Sequence, residues 1–147
     1  MIALASDASP ASSPAPAVAN ASPGRGALWT GRVLSGLVVL FLGFDAVMKV
    51  ARLPMALEGT SQLGYPVSVV PILGVVQLVC LALYLVPRTA PLGAILWTGY
   101  LGGAIATHVR IENPLFSHVL FPIYVAAFLW GGLWIRDSRV RALLGRR

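Results

Sequence analysis

The chain is poor in charge: only 11% of its 147 residues are Asp, Glu, Lys or Arg, where a soluble globular domain carries roughly a quarter. It has a single cysteine, Cys80, which excludes an internal disulfide, a CxxC redox pair and a CxxCH haem attachment. Cys80 lies inside an apolar run and reads as a small core hydrophobe. No phosphate-binding glycine loop, nucleophile elbow, HExxH helix or pair of catalytic carboxylates is present, so no catalytic residue is assigned and no metal site is expected. What is abundant is apolar: 57% of the residues are AVILMFWYC and the mean hydropathy is +0.80. A compact domain of this length still leaves roughly 30% of its unfolded surface in water, too much for this composition. The surplus apolar surface implies lipid. The net charge of +6 comes from basic residues at the ends of apolar runs, a pattern that suits an anionic membrane surface rather than nucleic acid.

Residues 1–27 are rich in Ala, Ser and Pro, with no periodic apolar face, and are expected to form a disordered tail. They lack the basic and apolar regions of a secretory signal, so the first apolar helix is expected to be retained. Four apolar segments follow, at about 28–50, 66–86, 91–109 and 114–135. Each is long enough to cross a hydrocarbon core of roughly 30 Å as a helix. Their continuous apolarity, with no inside–outside alternation, argues against a barrel. The expected fold is all-α: an integral membrane four-helix bundle over 28–142, followed by a basic tail at 136–147. With four spans, one side collects Arg25, Arg32, Arg88, Arg136, Arg139, Arg141, Arg146 and Arg147, and the other only Lys49, Arg52 and Arg110. This imbalance places both termini in the cytoplasm. Trp29, Trp130 and Trp134 then fall near that boundary, with Trp97 deeper. The arginines after the fourth span read as an orientation signal or a contact for anionic headgroups.

Lipid removes most of the hydrophobic drive for helix association, so small residues must supply close packing. On the third segment Gly99, Gly103, Ala106 and Arg110 share a face that includes a GxxxG step, suited to packing within the bundle or to a homodimer. Pro71 and Pro122 are expected kink points.

Ionisable residues within the spans are few and costly, roughly 2.5–3.5 kcal/mol each near the centre. Asp45 has Lys49 four residues on, so it is either a neutralised ion pair or part of a site. The topology gathers Asp45, Lys49, His108, Arg110, Glu112 and His118 at one mouth. His108 shares a face with Trp97, Leu101 and Ala104, and His118 one with Pro122, Val125, Leu129 and Gly132. If both faces point inward, the histidines border a cavity also lined by Trp97 and Gln77. Such a cavity would accept a quinone head or a small anion.

The segments GFDAVMKV, LGYP, GAILWTGYLGGAIATHVR and HVLFPIYVAAFLWGGLWIRD resemble the DoxX-like family of small four-span bacterial membrane proteins, over about residues 27–142. Gln77 departs from the family pattern, in which an acidic residue is often expected. The resemblance implies a multi-pass protein of the bacterial plasma (inner) membrane. It further implies a subunit or anchor of a redox-linked complex that handles quinones or thiol and sulfur compounds, with redox-enzyme subunits as partners. Lys49 and the His108–Arg110 stretch are the positions it points to. Two other functions fit the residues: a small transporter of lipophilic cations that uses Asp45, and a purely structural membrane scaffold.

Overall fold

A computed structural model describes residues 24–144. The expected tail is therefore described only from Gly24 on, and residues 1–23 and 145–147 lie outside the described residues. Among those described, every regular element is helical: α1 (Arg25–Val50), α2 (Pro54–Gln62), α3 (Val70–Leu85), α4 (Ala90–Arg110), α5 (Phe121–Arg136) and α6 (Ser138–Leu144). A 3-10 turn at Val67–Val69 leads into α3, and a π-helical turn at Leu115–Val119 leads into α5. Four segments, Arg25–Val50, Val67–Leu85, Ala90–Arg110 and Leu115–Arg136, are long and apolar enough to cross a membrane.

Proline sets the helix starts. α2, α3, α4 and α5 each carry a proline in their first two positions, where the missing N–H costs nothing and the ring fixes φ near the helical value. Pro71 and Pro122 therefore mark boundaries rather than kinks inside longer helices. Before Pro122 the backbone widens, and Leu120 N–H bonds the Leu115 carbonyl at 2.9 Å, five residues back. The far ends of α1, α2 and α4 close by one scheme. Arg52, Gly64 and Glu112 adopt left-handed φ values of 56, 84 and 55°. The next residue's N–H reaches back to the carbonyl five positions earlier, as in Leu53 to Met48 at 3.0 Å and Asn113 to His108 at 3.0 Å.

The spans form a ring in which α1 packs on α3 and α5, and α4 packs on the same two. Small residues allow each close crossing, as lipid-borne packing requires. A Cβ on Gly132 would meet Ser35 N at 3.0 Å and Gly31 O at 3.1 Å, one on Gly74 would meet Ala46 O at 2.9 Å, and one on Gly93 would overlap the Tyr84 Cα at 2.6 Å. Tyr84 is fully buried. Its hydroxyl donates to the Leu129 carbonyl at 2.9 Å and accepts from Ser35 Oγ at 3.2 Å, tying α3 to α5 and α1. The outer faces present Leu37, Leu40, Phe44, Ile72, Val75, Ile95 and Phe128, as lipid contact demands.

Arg136, Arg139 and Arg141 do more than mark orientation. Arg136 lies 4.8 Å from the centre of the Tyr84 ring and bonds the Tyr84 carbonyl at 3.3 Å. Arg139 reaches the Pro87 carbonyl, and Arg141 bonds the Trp134 and Ile135 carbonyls at 2.9 and 2.7 Å. The Tyr84, Trp134 and Ile135 carbonyls are ones that a helix end leaves without an intrahelical partner, and Pro87 lies in the turn after α3.

Candidate functional site

Toward the end of the bundle where α1 finishes and α4 finishes, the four helices stand apart around a cavity of about 570 Å³, within the range of small-molecule sites. Asp45, Lys49, Gln77, Trp97 and His108 all line it, and α2 contributes Met55, Ala56, Gly59 and Thr60 to its wall. The polar cluster is organised around one oxygen. Asp45 Oδ2 accepts from Lys49 Nζ in an i,i+4 ion pair and from Gln77 Nε2 at 2.7 Å, across from α1 to α3. The two charges are thereby matched within an apolar setting. Lys49 is the less accessible partner, its side chain 14% exposed against 39% for Asp45, so the carboxylate is the more open face of the pair.

Trp97 is fully buried, and its indole and the Tyr100 ring meet edge to face at a centroid distance of 5.5 Å. Neither Trp97 Nε1 nor Gln77 Oε1 has a hydrogen-bond partner, which sets both apart from the general rule that buried polar groups are satisfied. The face carrying Trp97, Leu101, Ala104 and His108 lines the cavity together. His108 Nδ1 is in hydrogen-bond contact with Asn113 Nδ2 at 2.7 Å. Phe41 and Phe121, in edge-to-face contact at 5.5 Å, stand where the cavity meets the lipid-facing surface and are half exposed.

Two predicted site residues lie elsewhere. His118 is exposed and bonds Ser117 Oγ at 2.8 Å, and its ring touches that of His108 at 5.6 Å between centroids, but it does not line the cavity. Pro122, Val125, Leu129 and Gly132 are all buried as a face, yet the π-helical turn shifts the register so that Val119, not His118, continues it. Arg110 donates to the Leu63 carbonyl at 2.6 Å and so caps the end of α2. Glu112 is exposed. Within the chain the glycine face of α4 packs on no neighbouring helix: Gly99 and Gly103 border the cavity, and a Cβ on either would meet nothing within 4 Å. Inside the bundle they make room for the cavity.

Sequence reasoning missed α2 as a wall of the site, although Pro54 at its start and Gly64 just past its end are start and stop signals. It also missed Tyr65, whose hydroxyl donates to Thr107 Oγ1 at 2.8 Å, since Thr107 spends its own proton on the Gly103 carbonyl at 2.9 Å. This bond and that of Arg110 fasten the segment after α2 to α4. The chain has no match among curated proteins or solved structures. The model of the DoxX-like family matches residues 33–132, a stretch that holds all four spans' cores and every residue of the cavity; the chain belongs to this family and is a multi-pass membrane protein.

Proposed function

We propose that the protein is a subunit or anchor of a redox-linked complex of the bacterial plasma membrane, and that its cavity holds the ring of a quinone or a comparable thiol or sulfur compound. The observation that carries this reading is the joining of a polar cluster, Asp45 with Lys49 and Gln77, to aromatic walls from Phe41, Trp97, Tyr100 and Phe121 in one cavity. A flat ring with polar substituents and an apolar tail matches such a lining. The half-exposed Phe41 and Phe121 offer that tail a way out to lipid. His108 adds an imidazole to the wall beside this cluster. The excess of arginine on the side of Arg25, Arg88 and Arg136 supports cytoplasmic termini.

The transporter reading is disfavoured by the engagement of Asp45 Oδ2 with both Lys49 and Gln77, because a resident cation competes with any cationic substrate. The scaffold reading leaves the cavity and its unpartnered polar atoms without a role. Purification from native membrane in mild detergent, with identification of the lipophilic compounds and proteins retained, tests the proposal. Retention of a quinone and of redox-enzyme subunits, both diminished by Gly103→Leu, which fills the cavity, is the expected result. A wild-type protein that retains neither, and behaves as the Gly103→Leu variant does, would sink it.

A further inference from the structure

The charged pair on the cavity wall presents an open acceptor. Asp45 Oδ2 is occupied by Lys49 and Gln77, whereas Asp45 Oδ1 has no hydrogen-bond partner among the described residues and belongs to the more exposed side chain of the pair. A carboxylate oxygen accepts and never donates. Gln77 must turn its Nε2 toward Asp45, because only the amide nitrogen can donate to a carboxylate, and this fixes Oε1 as a second acceptor without a partner. Trp97 Nε1 is a buried donor without a partner, and Tyr100, whose hydroxyl has no hydrogen-bond partner among the described residues, also lines the cavity and can donate or accept. Lys49 Nζ is turned to Asp45 and is the more buried of the two charges. The more accessible of the two charged groups on the wall is therefore an acceptor with an unused oxygen, Asp45 Oδ1.

From this we infer that the site selects the hydroxyl-bearing form of its ring ligand: a hydroquinone or phenol, bound by donation of its O–H to Asp45 Oδ1, in preference to the corresponding quinone. The inference rests on the reading of the cavity as a ring-binding site. A quinone offers only carbonyl lone pairs, which would face the lone pairs of the carboxylate. A hydroxyl satisfies the acceptor and can itself accept from a donor such as the Tyr100 hydroxyl. A hydrogen bond to an ionised acceptor in a water-poor site corresponds to a preference of about tenfold or more. Preference for the reduced form also raises the potential of the bound couple, by about 30 mV for each tenfold in a two-electron reaction, so the site makes the bound quinone easier to reduce.

The test is anaerobic equilibrium binding to the full chain in lipid nanodiscs, with three probes that share one alkylated naphthalene ring: the hydroquinone, the quinone and the hydroquinone dimethyl ether. The ether keeps both oxygens but cannot donate, which separates donation from ring size and apolarity. The hydroquinone is expected to bind at least tenfold more tightly than either of the others. The double variant Asp45→Asn with Lys49→Met, which removes both charges together and introduces an amide donor, is expected to lose that preference. Gln77→Met, which leaves the ion pair in place, is expected to narrow it. Equal binding of all three probes would overturn the inference and leave the ring-binding reading standing, whereas binding of none would overturn both. Tighter binding of an alkylated naphthyl-ammonium cation than of the hydroquinone would also overturn it, in favour of a cation site.

Discussion

Along α4 the same residue type does opposite things at the two ends of the bundle. Gly93, beside the turn from α3, sits so close to the Tyr84 backbone that a methyl group would overlap it, while Gly99, Gly102 and Gly103 meet nothing within 4 Å. The first end is closed: Tyr84 is buried with its hydroxyl bonded to α1 and α5, Thr89 Oγ1 donates to the Leu83 carbonyl at 2.8 Å, and Arg136 covers the Tyr84 ring. The second end is open around the cavity, with Asp45, Gln77 and Trp97 on its walls. A bilayer provides little hydrophobic drive for association, so close packing must be concentrated somewhere. Concentrating it at one end lets the other hold a space.

The sharpest way to break this comparison is a matched pair of substitutions. Gly93→Ala forces a methyl into backbone that cannot move without separating α3 from α4, and is expected to cost about 3 kcal/mol, seen as a large fall in melting temperature in detergent. Gly103→Ala enters open space inside a helix and is expected to leave stability unchanged or raise it by up to about 1 kcal/mol. Equal losses would mean that the two ends are packed alike. The next effect is that of Tyr84→Phe. It keeps the ring but removes the hydroxyl that accepts from Ser35 and donates to Leu129, leaving Ser35 Oγ buried without a partner. The expected cost is about 1–2 kcal/mol. Ser35→Ala in the Tyr84→Phe background should restore part of it, because the orphaned hydroxyl is gone.

The closed end was the less legible of the two. Hydropathy and proline placement locate all four spans, because helix length and apolarity are read one residue at a time. The ion pair of Asp45 and Lys49 follows from spacing on one helix, and Trp97 and His108 share a wall because α4 is regular through both. Tyr84 could not be singled out in the same way. A tyrosine in an apolar run requires some partner for its hydroxyl, but Ser35 and the Leu129 carbonyl are supplied by two other helices, whose relative rotation no single-helix pattern contains. The same limit applies to the glycines of α4, since a small face permits a close approach without saying whether a neighbour makes it. His118 fails for a different reason: helical spacing is counted through Pro122, and the π-helical turn before that proline inserts a shift in register that the count does not include.

The helix ends around the cavity sharpen the comparison further. Arg52 and Glu112 hold left-handed φ values in which an L side chain crowds its own carbonyl, a cost of about 1–2 kcal/mol that glycine avoids. Part of that gain is offset by glycine's greater freedom when unfolded, roughly 0.5–1 kcal/mol. Arg52→Gly and Glu112→Gly should each stabilise the protein by up to about 1 kcal/mol in thermal melts, and Gly64→Ala should destabilise it. Destabilisation by both glycine substitutions would show that the side chains of Arg52 and Glu112 contribute more than their backbone conformation costs.

The smallest expected effect belongs to the closed end and depends on pH. Asp137 caps α6, accepting from the Arg139 N–H at 2.9 Å and from its guanidinium at 3.0 and 3.2 Å. The guanidinium hydrogen bond, with the backbone N–H groups, holds the Asp137 carboxyl below its ordinary value. A carboxyl whose folded value is depressed adds stability that is fully present above the ordinary value of about 3.9 and is lost as the pH falls through the lowered one. Arg139 is exposed, so most of the stabilisation comes from the cap itself, about 1 kcal/mol, and little from the screened ion pair. Asp137→Ala should therefore melt below the wild type at pH 7, and the gap should shrink as the pH is taken below about 3.9 toward 2. A gap that stays constant over this range would mean that the carboxylate charge plays no part in holding α6 against the turn at Pro87, and that the closed end is fastened there by Arg139 and Arg141 through carbonyls alone.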